Sequence, residues 1–369
     1  MDLEEVEATL VIKNVTPSLP TVILNELRAQ LFAGKSIIFL DALLYLTKGR
    51  PNYTSAILFR DNILEERVKL WIETKTSFKK KMDWYKNYDN NLWNGGWPLH
   101  YAMNIVKAEG CLSDNNNIFM FFPDALGVSS AEISDYFGME FIDIWSFVFD
   151  EVIFPCAKRV LKNDSLLFSH EKLKPYIKET IYLASVFHEI GHRAGYFKVS
   201  PQKDYRVKIS KFHTDVLGEL STDTLLILAL SEFQELSVFI VLQRLFWYGR
   251  SGFKKNNKRG LVNSDNDSWI GSFLFNIGMQ TGLFNISALK LGISFEKIEE
   301  TFKKIDFSLR ELGEELITID SQDQQDNIVR EWMKRHVDSD EDGFIIPEQF
   351  QKILGACLDI KEKPSIKFA

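Results

Sequence analysis

The chain is poor in the residues that disulfide-rich and turn-rich proteins depend on. It has three cysteines in 369 residues, Cys111, Cys156 and Cys357. Their odd number and wide spacing exclude a disulfide framework and a cysteine zinc site. Glycine (20) and proline (10) are both scarce, which disfavours a fold built on many tight turns against a helical one. No uninterrupted apolar run reaches the ~18 residues of a spanning helix. The opening MDLEEVEATL is acidic and lacks the basic-then-apolar order of a secretory leader. Basic charge is in deficit too: 44 Lys and Arg against 51 Asp and Glu give −7, the wrong sign for a general nucleic-acid binder. No glycine-rich phosphate loop and no Gly-x-Ser-x-Gly elbow occurs. The expectation left by these absences is a cytoplasmic protein with neither nucleic-acid nor membrane partners.

What is present divides into three textures, and the expected fold is mainly α. Residues 1–130 are a mixed α/β region. In it LVIKNV alternates like a short strand, Thr21–Leu46 has helical spacing, and an Asn/Gly loop carries Trp93 and Trp97. Residues 131–290 form a helical metal-binding domain. Its stretch Thr224–Tyr248 is apolar enough to be one buried helix, or two in series. A basic loop, Gly249–Gly260, follows, suited to a lid or to docking an acidic tail. Residues 291–369 form an acidic module of short amphipathic helices. Between 311 and 348 twelve acids face three basic residues, so the acidity belongs to this part and the rest of the chain is close to neutral.

The most informative segment is His188-Glu189-Ile190-Gly191-His192. Histidines four apart on a helix point the same way, one turn apart, and can share one metal ion. Glu189 between them is placed to accept a proton from an attacking water. Leu183, Val186, Phe187, Ile190 and Ala194 give the helix an apolar stripe, and Gly195 is a natural stop. Downstream, Glu219 and Asp223 lie four apart, with no Lys or Arg from Thr214 to Glu232. A carboxylate completing two histidines gives a catalytic zinc set, and a second one turn on can orient a ligand histidine. Two histidines and a carboxylate also suit Fe2+. His213, Tyr205, Arg244 and Tyr248 are near these segments in sequence and offer donors for an oxyanion, with His213 and Tyr248 ranked first.

This constellation resembles the gluzincin branch of the HExxH zinc metallopeptidases, over about 40 residues of the chain. The resemblance implies His188, His192 and Glu219 as Zn2+ ligands, Glu189 as general base and Asp223 as the partner of His188. The 26 residues between His192 and Glu219 exceed the commonest gluzincin spacing, and no clear substrate-holding edge strand precedes the motif.

A second segment, Asp338-Ser-Asp340-Glu-Asp342-Gly343-Phe344, resembles an EF-hand loop. It implies Ca2+ on Asp338, Asp340, Asp342, the Phe344 carbonyl and Gln349. Gln349 stands where the family has a bidentate glutamate. Three functions follow as expectations. The first is a zinc hydrolase acting on an amide or ester carbonyl of a peptide or small molecule, with calcium modulation. The second is a non-hydrolytic iron enzyme. The third is a calcium-responsive scaffold that binds a protein partner through the EF-hand-like module.

Overall fold

The computed structural model describes residues 20–44, 52–74, 99–114, 118–126, 137–162, 173–198, 205–231, 233–256, 259–260, 266–340 and 343–364. The LVIKNV segment, Trp93, Trp97 and Asp342 lie outside them.

Helix α1 (Pro20–Phe32) buries Ile23, Leu24, Leu27 and Leu31, a single stripe at helical spacing. The chain then passes Gly34, at φ +69°, and the period changes. In β1 (Ile37–Leu44) residues 38, 40, 42 and 44 are buried while Phe39 and Asp41 face out. The expected helix over Thr21–Leu46 is therefore a helix and a strand, separated at a glycine that takes the left-handed conformation.

β1 pairs antiparallel with β2 (Asn52–Arg60), and β2 with β3 (Leu99–Gly110). β4 (Met120–Phe121) lies at the far edge beside β5 (Phe137–Phe141), which runs parallel to β3. The order is β1-β2-β3-β5-β4. Every residue of β5 is buried, as a strand covered on both faces requires. Helix α2 (Asn62–Thr74) turns Leu64, Val68 and Ile72 inward. One core joins α1 to the sheet through Ile38, Leu58, Met103 and Phe141. A second, larger core gathers the helices that follow.

Those helices are α3 (Ile142–Val148), a π turn (Phe149–Ile153), α4 (Phe154–Val160), α5 (Ile177–Gly191) and α6 (Lys211–Ala229). They continue with α7 (Gln234–Leu242), a second π turn (Gln243–Gly249), α8 (Arg250–Asn256) and α9 (Asn266–Thr281). The apolar Thr224–Tyr248 run is two helices in series, α6 ending at Ala229 and α7 beginning at Gln234. A hairpin of β7 (Phe284–Ser287) and β8 (Lys290–Ile293) interrupts the helical pattern. No helix among the described residues is long and apolar enough to cross a membrane.

The C-terminal part is α10 (Ile298–Leu316), α11 (Gln322–His336) and α12 (Glu348–Gly355). Gln325 is fully buried and ties this part to the chain ahead of α6. It accepts from Lys208 N at 2.6 Å and donates to the carbonyls of Arg206, Leu316 and Ile319.

Between α11 and α12 lies the segment expected as an EF-hand loop; among its described residues no His/Cys/Asp/Glu group gathers as an ion site, and Asp342 lies outside them. Asp338, Asp340 and Gln349 are exposed, and the Asp338 carbonyl accepts from Ile345 N at 2.7 Å. The loop closes as a hairpin of β9 (Ser339–Asp340) and β10 (Gly343–Ile345), with Phe344 opposite Ser339 on one side. On its other side Phe344 lies opposite Gly260 of β6 (Arg259–Gly260). Backbone pairing joins β6, β10 and β9 in one three-stranded sheet. The stretch 249–260, expected as a basic loop, is instead helical over Arg250–Asn256, and at its end β6 pairs with β10 through the backbone.

Candidate metal centre

The histidine pair stands at the end of α5, a helix buried nearly all round. His192 is the first residue past the helix and still has helical φ (−59°), so it stays one turn above His188. The two rings lie 4.5 Å apart, edge to face. Gly195, at φ +76°, then turns the chain away. Gly191, inside the motif, sets the distance to α6. A Cβ there would lie 2.9 Å from Thr222 Cγ2 and 3.2 Å from Thr222 Cα. Only glycine lets the two helices approach closely enough for Glu219 and Asp223, one turn apart on α6, to face the histidines.

His188 Nε2 is 3.4 Å from one Glu219 oxygen, and His192 Nε2 is 3.6 Å from the other. One ligand atom from each of the three side chains falls within 4.8 Å of the others, and among the described residues no other His/Cys/Asp/Glu group does so. Zinc–ligand bonds of ~2.0–2.1 Å at tetrahedral angles put ligand atoms about 3.4 Å apart. The donor set therefore fits zinc in kind, and each histidine stands from a Glu219 oxygen at close to that spacing. Side-chain exposures of 18% (His188), 16% (His192) and 28% (Glu219) leave the cluster reachable from solvent, unlike a closed structural site.

The second tier orients the first. Asp223 Oδ1 lies 3.2 Å from His188 Nδ1, and Thr222 Oγ1 lies 3.1 Å from His192 Nδ1. With both Nδ1–H groups donating there, both Nε2 lone pairs point at Glu219. Asp223 in turn accepts from Arg244 Nε, while Arg244 also donates to Asp267 and, at 3.3 Å, to Glu219. Arg244 comes from the second π turn and stands 4.8 Å over the ring of Tyr248 on the same turn. Such wide turns recur where a helix must re-aim a side chain.

Acid dominates this volume: Glu219, Asp223 and Asp267 surround the Arg244 guanidinium. Burial alone pushes the His188 pKa down, but the charges of Glu219 and Asp223 override it and hold the ring well above the usual imidazole value. His192 goes the other way, lowered by burial and by the neighbouring His188. Burial opposes ionisation of Glu219 as well, yet His188, His192 and Arg244 hold it far below its ordinary value. Burial raises Asp267 to about 6 against the pull of Arg244. The pocket favours a cation, and a proton on His188 is the one it takes without metal. For a raised group, the contribution to metal-free stability is full below the unfolded value of 6.5 and is lost as pH rises through the folded value. Zinc needs the neutral ring, so zinc affinity should climb as pH rises above about 6.5 and through the raised folded value, where this proton is lost. Chelator competition measures it; a flat profile would mean that His188 carries no proton to displace.

The structure thus brings together His188, His192, Glu219, Asp223, Arg244 and Tyr248. Glu189 adjoins them, its charge acting on the His192 ring. His213 is instead buried against α11, its Nδ1 on Asp326, and Tyr205 is 83% exposed. Sequence reasoning did not reach Gly191, Thr222 or Asp267. Gly191 and Thr222 sit beside recognised motif residues, which was the one available signal. Asp267, 44 residues past Asp223, had none.

No protein-family model matches the chain, and no curated protein matches it in sequence. Solved structures do. Dipeptidyl-peptidase III from Caldithrix abyssi superposes with a TM-score of 0.61 at 15% identity, covering 94% of this chain and 63% of that one. Dipeptidyl-peptidase III from Corallococcus sp. strain EGB gives 0.57 at 12%, covering 90% and 59%. The chain therefore spans less than two thirds of the length of either neighbour, and it is in fold, mostly helical with a mixed sheet, that it is similar to the dipeptidyl-peptidase III structures.

Proposed function

We propose that the protein is a zinc-dependent hydrolase of peptidase type, cleaving an amide bond of a peptide substrate. The observation that carries this reading is the solvent-reachable triad His188, His192 and Glu219, its ligand atoms within 4.8 Å of one another, with an acid, Glu189, inside the motif. Zinc held by these three would polarise the substrate carbonyl and make water a usable nucleophile near neutral pH. Glu189 accepts the proton of the attacking water and returns it to the leaving amine. Asp223 and Thr222 hold the histidine tautomers, and Arg244 holds Asp223. Tyr248 is the donor assigned to the developing oxyanion. Burial, then the charge of Asp267, raises its pKa well above 10, so its hydroxyl keeps its proton to donate. His213 has no part in this scheme, being engaged by Asp326.

Both structural neighbours are called dipeptidyl-peptidases, which supports an amide over an ester and hydrolysis over iron chemistry. Elemental analysis of purified protein tests the reading. The wild type should carry about one zinc per chain, and His192→Ala should lose it together with peptide hydrolysis. Iron in place of zinc, or zinc retained by the variant, would refute it.

A further inference from the structure

The second π turn is fastened at both ends. Its upstream end carries Arg244 into the carboxylates of the metal centre. Arg250 follows its downstream end and is 3% exposed. The Arg250 guanidinium donates to the carbonyls of Cys357 and Ile360, each at 3.0 Å, and to that of Lys361. These carbonyls belong to the turn just past α12. Arg159 of α4 donates to the Ala356 carbonyl at 3.2 Å and pairs with Asp359, and Lys361 pairs with Glu151. The turn 356–361 is thus gripped by side chains from the helical core.

Between its ends the π turn has no slack. A Cβ on Gly249 would lie 2.9 Å from Phe350 Cζ of α12 and 3.2 Å from the Arg244 carbonyl oxygen. A Cβ on Gly271 of α9 would lie 2.8 Å from that same oxygen. Phe350 is itself stacked on Phe275 of α9 at 4.6 Å. An apolar side chain would fill the Arg250 site without the cost of desolvating a charge. What the planar fork adds is direction, since it binds three carbonyls in one geometry.

We propose that Arg250 is a positioning residue for the metal centre. By clamping the turn 356–361 it fixes the π turn, and so the direction in which Arg244 meets Asp223 and Glu219. The C-terminal helix–loop–helix then serves as a strut of the site. This inference rests on the zinc reading, and a zinc titration of the wild type tests that reading alone.

The experiment compares the full-length wild type with Arg250→Lys and Arg250→Met. Chelator competition should show zinc bound about ten-fold more weakly in Arg250→Met, with Arg250→Lys between. The visible spectrum of cobalt-loaded protein should shift, a change that loss of stability alone does not produce. Folded variants with wild-type affinity and spectrum overturn the proposal. Hydrogen exchange on the wild type decides if the variants do not fold. Coupling is reciprocal, so zinc must slow exchange in 356–361 while leaving β1 unchanged. Protection confined to α5 and α6 overturns the proposal, as does a wild type that binds no zinc.

Discussion

Glu189→Gln should lower peptide hydrolysis by about 10²–10⁴-fold, the usual range for losing a general base. That corresponds to roughly 3–5 kcal/mol of transition-state free energy. The amide is isosteric and still polar, so helix α5 and its packing are undisturbed. It has no basic lone pair to take a proton, so the loss falls on kcat. Zinc content should stay near that of the wild type, because the ligand atoms come from His188, His192 and Glu219, which the substitution does not touch. The measurement pairs steady-state kinetics with metal analysis on the same sample. Undiminished turnover at full zinc occupancy would remove Glu189 as the base. Loss of zinc along with turnover would instead make it part of the metal-binding set.

Much of the centre was legible because its parts are local. Two histidines at i and i+4 inside an apolar stripe, and two acids at i and i+4 ahead of Leu225–Leu228, are patterns a helix imposes on nearby sequence. What escaped was pairwise and distant. Arg244 stood out only as one donor among several, since nothing local says that it meets Asp223 and Asp267 from another helix. The fold shows the same limit. Thr21–Leu46 keeps an apolar spacing compatible with a helix, and the change of period at Gly34 decides otherwise. The β7–β8 hairpin turns on Ala288 and Leu289 at φ +50° and +61°, residues that give none of the Asn or Gly signal such a turn normally carries. In the acidic loop the limit is the reverse: Asp338, Asp340 and Asp342 form a local pattern, but the sequence around them does not show that the Phe344 backbone enters a three-stranded sheet with β9 and with β6, more than 80 residues away.

Arg244→Met should destabilise the metal-free protein by about 3–5 kcal/mol, the cost of leaving a buried counter-charge unpaired. The guanidinium and Asp223 are each 5% exposed, so water cannot replace the lost partner. Asp267, at 34%, can be rehydrated, and its carboxyl, already raised to about 6, gives up its charge readily. The penalty therefore concentrates on Asp223. Burial resists ionisation of that carboxyl, and Arg244 is the chief charge that holds its pKa low. The double variant Arg244→Met/Asp223→Asn removes both charges at once, and it should be more stable than Arg244→Met alone. The two losses are non-additive because they share one interaction. Urea denaturation of the zinc-free forms measures the wild type, the single variants Arg244→Met and Asp223→Asn, and the double variant. If the double variant were as unstable as the sum of the singles, the ion pair would not be the source of the loss. A single Arg244→Met within 1 kcal/mol of wild type, about the worth of an exposed pair, would place Arg244 in water rather than in the wall of the metal centre.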